Sequence, residues 1–216
     1  MSSEVQRYLI PADGPEVEPI KTALHLLRQL CENLGTPKDA ILLIPTRGNI
    51  QGTTLETALG TGIAEALLKG ESVRLPGGGK LRLETQRTFQ DSWTSDIIVG
   101  VYATNKMLDQ LDSATKAAAI IVVPWIMDNV REWRRTWNPK VPGEEAAASE
   151  PLIENLVVEQ ALEMLTRSVN LSTGLSYPSD KAKRVQLSRI LYDNRESYDA
   201  QSIRGWCLRN GWNPEG

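Results

Sequence analysis

Along the first part of the chain, hydrophobic and polar positions switch between the period of a strand and the period of a helix. Val5 to Ile10 reads as a strand that stops at Pro11 and the Asp13-Gly14-Pro15 turn. From Pro19 to Leu34 the residues Ile20, Ala23, Leu24, Leu27, Leu30, Cys31 and Leu34 recur at i, i+3, i+4 and i+7, which predicts an amphipathic helix with Gly35 as its C-terminal cap. Ala40 to Ile44 is continuously apolar, as in a strand covered on both faces. A helix from Thr53 to Lys69 follows, with an inward stripe of Leu55, Leu59, Ile63, Ala66 and Leu67. Ser72–Leu75 and Lys80–Thr85 flank Pro76-Gly77-Gly78-Gly79, a β-hairpin with a flexible glycine tip. Two more apolar strands, Asp96–Val101 and Ala118–Val123, precede helices carrying Met107, Leu108 and Leu111, then Ile126, Val130, Trp133 and Trp137.

Alternating strands and helices with fully apolar strands predict a Rossmann-like α/β fold, an open and mainly parallel sheet with a β-hairpin. The character changes after Asn138. Residues 139–149, rich in Pro, Gly, Glu and Ala, read as a linker. No strand pattern returns beyond them, so 1–138 is taken as the α/β domain and 150–216 as an all-α C-terminal region. That region divides into helices from Glu150 to Val169, from the Ser179-Asp180 cap to Tyr192, and from Asp199 to Arg209 before Asn210-Gly211. Asn213-Pro214 looks like the start of another helix, so the chain is expected to be a fragment of a longer protein.

Composition narrows the chemistry. The formal net charge is −3, so no global basic field recruits nucleic acid or an anionic membrane. One histidine, His25, and two cysteines argue against multi-histidine metal sites, disulfide scaffolds and paired-cysteine zinc sites. The apolar run Ala117–Met127 contains Pro124 and falls far short of the roughly 20 residues that span a bilayer. A soluble, cytoplasmic protein without a membrane partner is the expectation. Cofactor, oligomeric state and enzymatic activity stay open.

In open α/β sheets ligands bind beyond the carboxyl ends of the strands. Three stretches hold that position: Thr46–Thr54, Tyr102–Asn105, and Pro124-Trp125 followed by Asp128 and Asn129. Arg47, Asn49, Thr53 and Thr54 suit an anion at a helix N-terminus, while Thr104, Asn105 and Trp125 would line the rest of the pocket. The expected ligand is a small phosphorylated or nucleotide-like molecule. Neither a dinucleotide fingerprint nor a Walker loop is present.

Gly52-Thr53-Thr54-Leu55-Glu56, with Gly60 and Ala64, resembles a step in nucleoside deoxyribosyltransferase-like proteins, although Ile50-Gln51 stand where that family places an aspartate. The resemblance implies an alternative, an enzyme cleaving an N-glycosidic bond with Glu56 as nucleophile and Asp128 as acid or orienting group. Thr53 and Glu56 also match a capping box. In the tail, Ile203-Arg204-Gly205-Trp206 with Asn210-Gly211 is similar to a helix of the DNA-binding domain in actinobacterial nucleoid-bridging proteins. That similarity implies a helix-turn-helix with Lys181, Arg184, Arg204 and Arg209 turned outward to nucleic acid. The other reading of the tail is a helical hairpin that packs on the first domain or on a protein partner.

Overall fold

The computed structural model describes residues 5–33, 38–90, 96–145, 148–171, 175, 177–194 and 196–212. The cap expected at Gly35 and the helix start at Asn213-Pro214 lie outside the described residues. The chain forms two units, Met1–Arg131 with Pro139–Ala146, and Glu132–Asn138 with Ala147–Gly216.

In the first unit the chain runs through β1 (Gln6–Leu9), α1 (Val17–Asn33), β2 (Ala40–Ile44), α2 (Thr54–Leu59), α3 (Thr61–Leu68), β3 (Val73–Arg74), β4 (Lys80–Thr85), β5 (Ile97–Ala103), α4 (Asn105–Ser113) and β6 (Ala119–Pro124). The six strands lie in the order β1-β6-β5-β2-β4-β3. All neighbours are parallel except the β3–β4 hairpin. Every residue of β2, β5 and β6 is buried, as their unbroken apolar runs require. Ala40, Leu42, Ile44, Ile97, Val99, Val101, Ile121 and Val123 share one core with α1, α2 and α3. Alternation turns the intervening residues to the other face, where α4 sets Leu111 and Met107 against Gly100.

The helix expected over Thr53–Lys69 is two. Gly60 takes φ 83°, ψ 144°, ends α2 and starts α3. A Cβ at Gly60 or Gly62 would meet nothing within 4 Å, so close packing does not explain these glycines. Gly60 is there for its backbone angle. The break resets the helical register, which buries Ala64 and leaves Ile63 38% exposed. The glycine tip of the hairpin also differs from expectation. A Cβ on Gly79 would stand 1.9 Å from the Lys38 carbonyl oxygen, and one on Gly77 2.8 Å from that of Cys31. The tip is pressed onto the backbone around the end of α1.

Residues 139–145 do more than link. Lys140 N–H donates to the Arg7 carbonyl and Leu9 N–H to the Lys140 carbonyl, both at 2.9 Å, so this segment pairs with the outer edge of β1. α5 (Arg131–Trp137) begins at the end of the first unit, and Glu132–Asn138 belongs to the second. Trp133 is buried and Trp137 only half-buried.

The second unit holds α6 (Leu156–Ser168), α7 (Pro178–Asp193) and α8 (Ala200–Arg209). α6 starts later than its apolar spacing suggests, because the Asn155 side chain caps it by accepting from Val157 and Val158 N–H. Leu152 and Ile153 are buried ahead of the helix, while Leu156 and Val157 face solvent. α7 has Tyr177 at its N-cap without a side-chain cap, in place of Ser179-Asp180. α8 is capped as expected: Asp199 Oδ2 accepts from Ser202 N–H at 2.7 Å and from its hydroxyl at 2.9 Å. Gly205 allows α8 to close on Thr136, whose Oγ1 would lie 2.7 Å from a Cβ there.

Two predictions follow from these contacts. Backbone cannot yield at Gly79 but the Leu111 side chain can at Gly100, so Gly79→Ala is expected to cost roughly 3 kcal/mol and Gly100→Ala about 1 kcal/mol in urea unfolding. Equal losses would contradict the close approach at Gly79. The hydrogen bonds from Ser202 hold the Asp199 carboxyl below its ordinary 3.8. With the folded value depressed, the stabilisation is complete above about pH 4 and is lost as pH falls through the folded value. Asp199→Asn is expected to flatten the acid dependence of the melting temperature below about pH 4.

Candidate ligand site at the carboxyl edge of the sheet

Strand order fixes where a site can form. From β2 the chain passes through α2 and α3 to β4 on one side; from β5 it passes through α4 to β6 on the other. β2 and β5 are neighbours, so their carboxyl ends flank the topological switch point. Residues 45–53 leave β2 there, Thr104 and Asn105 leave β5, and Trp125 follows β6.

The central feature is Tyr102. Val101 pairs with Val123 and Ala103 with Pro124, so Tyr102 is an extra residue on β5, and it takes φ 57°. A bulge re-aims the side chain it carries, and a left-handed aromatic residue is strained. Tyr102 belongs to the core under α1–α3 and is 3% exposed. Its hydroxyl lies 2.6 Å from Thr54 Oγ1, and its ring meets Trp125 edge to face at a centroid distance of 5.3 Å. Trp125 is 41% exposed, so its indole is anchored on one side and open to solvent.

The loop after β2 is closed by its own side chains. Asn49 Oδ1 accepts from Thr46 N–H and Oγ1–H, both at 2.9 Å, around a 3-10 turn over Arg47–Asn49. Thr53 Oγ1 donates towards the Asn49 and Ile50 carbonyls and accepts from Leu55 N–H. Glu56 Oε2 accepts from Gly52 N–H at 2.7 Å, one residue before the amide a capping box would use. Asn49, Thr53 and Glu56 are therefore engaged in capping. Exposed Arg47 reaches away to the Leu68 carbonyl at 3.5 Å. Asp128 is exposed and paired with Arg131 at 2.7 Å, so the two carboxylates of the glycosidic reading each have a separate partner.

On the α4 side, Thr104 caps its helix through Met107 N–H and donates to Gln86 Oε1 at 3.3 Å. Gln86 N–H bonds the Ile44 carbonyl at 2.9 Å, and its own carbonyl accepts from Gln110 Nε2 at 3.0 Å. Asn105 and Lys106 are exposed in the first turn of α4. Gln86, Gln110 and the inward turn of Tyr102 escaped the sequence. Lys80–Thr85 reads as a hairpin arm, and only its parallel pairing with β2 brings Gln86 to the switch point.

The tail differs from an outward basic surface. Lys181 and Arg184 are exposed, but Arg204 is half-buried. Arg209 turns its guanidinium onto the carbonyls of Arg135 and Thr136. Gly205 and Trp206, which carry the likeness to a DNA-binding helix, are buried, with Trp206 Nε1–H donating to Glu159 at 3.3 Å. Among the described residues no group of His, Cys, Asp and Glu is arranged to hold a metal, and no helix is long and apolar enough to cross a membrane.

The Thr54–Tyr102 contact gives a direct test. Thr54→Val and Tyr102→Phe are each expected to cost about 1 kcal/mol, with a coupling of about 0.5–1.5 kcal/mol in a double-mutant cycle by urea unfolding. Additive losses would mean that the two hydroxyls do not bond.

The model of a domain of unknown function, DUF1889, matches residues 154–216, the segment of α6, α7 and α8. No curated protein and no solved structure matches the chain.

Proposed function

We propose that the carboxyl edge of the sheet binds a small phosphorylated or nucleotide-like ligand and passes the bound state to the helical unit. The observation that carries this reading is the Tyr102 bulge. Strain at a non-glycine residue persists where surrounding contacts hold it, and such residues concentrate at ligand sites. Here the strain supports an indole beside the switch point, where a planar base can stack on Trp125. The first turn of α4, with Asn105 and Lys106, offers amide dipoles and a cation for a phosphate, and Arg47, on the loop after β2, would supply a second cation on leaving the Leu68 carbonyl. Thr54 at the start of α2 and Thr104 just after β5 add hydroxyl oxygens. The route to the helical unit is covalent: the segment after Trp125 runs into α5, whose residues 132–138 already belong to that unit.

Titration with AMP, ribose 5-phosphate and inorganic phosphate tests the reading. AMP is expected to bind best. Trp125→Ala is expected to weaken AMP roughly tenfold while sparing ribose 5-phosphate, because only the base stacks. Arg47→Ala should weaken both phosphates. Glu56→Gln keeps an oxygen for Gly52 N–H and is expected to leave AMP affinity within about twofold. Failure of all three probes to bind would end the proposal.

A further inference from the structure

The second unit contains a cleft of its own. A cavity of about 330 Å³ opens between α6, α7 and α8, at the low end of the range for small-molecule sites, ~300–1,000 Å³. Its walls are mostly hydrocarbon, including Leu162, Leu187, Leu191 and Trp212. α7 spans sixteen residues (Pro178–Asp193), yet only Asp180 and Leu191 are buried along it. A helix so thinly packed over an apolar hollow lacks the contacts that normally hold an element in place.

The polar part of the lining has one sign. Arg184 and Arg204 both line the cavity, and among the described residues no aspartate or glutamate does. Arg184 is exposed on α7 and Tyr198 is partly exposed, so the charged side of the lining reaches solvent while the leucines form the interior. Apolar depth beneath a guanidinium is the complement of an amphipathic anion. The described lining residues fall between Leu162 and Trp212, and they are not among the residues at the edge of the sheet.

We propose that the cavity between α6, α7 and α8 binds a single amphipathic carboxylate of medium chain length, its hydrocarbon chain among the leucines and its carboxylate on Arg184. The bound chain would supply the packing that α7 lacks. This site is independent of the nucleotide-like ligand proposed for the first unit.

Decanoate and decanol, kept below their aggregation limits, test it on the full chain. A chain of roughly ten carbons suits a cavity at the low end of ligand-site volumes. Cys207 lines the cavity and serves as a reporter. Burial pushes its thiol up to about 11, so maleimide labelling is followed in alkaline buffer and mapped by peptide mass spectrometry. Decanoate is expected to bind as one equivalent in calorimetry and to slow Cys207 labelling. Decanol should bind about tenfold more weakly, for want of a charge-assisted bond to Arg184. Arg184→Gln is expected to abolish that difference while leaving decanol affinity unchanged, which also shows that the variant is folded. Unsaturable binding, equal affinity of the parent for both probes, or unprotected Cys207 would overturn the proposal. So would protein-concentration-dependent protection of Cys207 without any probe, which would make the cleft a contact between copies of the chain.

Discussion

β2 must be covered on every side, and the architecture of the first unit follows from that requirement. Its five residues are all buried, its two edges are taken by β4 and β5, and its two faces need helices. α1, α2 and α3 supply one cover and α4 stands on the other. Parallel neighbours cannot be joined by tight turns, so each strand leaves its carboxyl end through a loop. Those loops collect along one edge of the sheet, and the polar chemistry of the unit collects with them.

Within that edge, the bulge at Tyr102 decides what the loops present. Without the extra residue, alternation along β5 would send this ring to the face of Gly100 and α4. With it, the ring enters the opposite core, binds Thr54 at the start of α2 and braces Trp125 after β6. One residue thus ties the exits of three adjacent parts of the sheet. The loop after β2 has become rigid by a different route, since Asn49, Thr53 and Glu56 satisfy its amides and carbonyls. Side chains that looked available for a ligand are already holding backbone.

Most of the sheet is legible in the sequence because burial on both faces leaves unbroken apolar runs at Ala40–Ile44, Ile97–Ala103 and Ala119–Pro124. The hairpin and the Asp199 cap are equally local signals. What escapes is what depends on a partner. The Leu55–Leu59–Ile63 spacing runs through Gly60 without a gap, and only the backbone angle there reveals the break. Leu152, Ile153, Leu156 and Val157 have helical spacing, but Asn155 caps α6 from within it. Tyr102 needs the register against β6, and Gln86 needs the pairing of β4 with β2. Arg209 reads as an outward cation until α8 is seen beside the end of α5.

The pairing of Lys140 with β1 has a consequence for how the sheet terminates. An outer strand with free amides and carbonyls invites another chain to extend it, a route to aggregation. Here the returning segment engages the backbone of Arg7 and Leu9, and the Lys140 ammonium sits 5.6 Å from the Tyr8 ring centroid. At the opposite border β3 is only two residues long and carries Arg74. A stretch of chain that reads as a spacer therefore acts as a selvedge, and the sheet ends at both borders in a form that a stray strand cannot readily prolong.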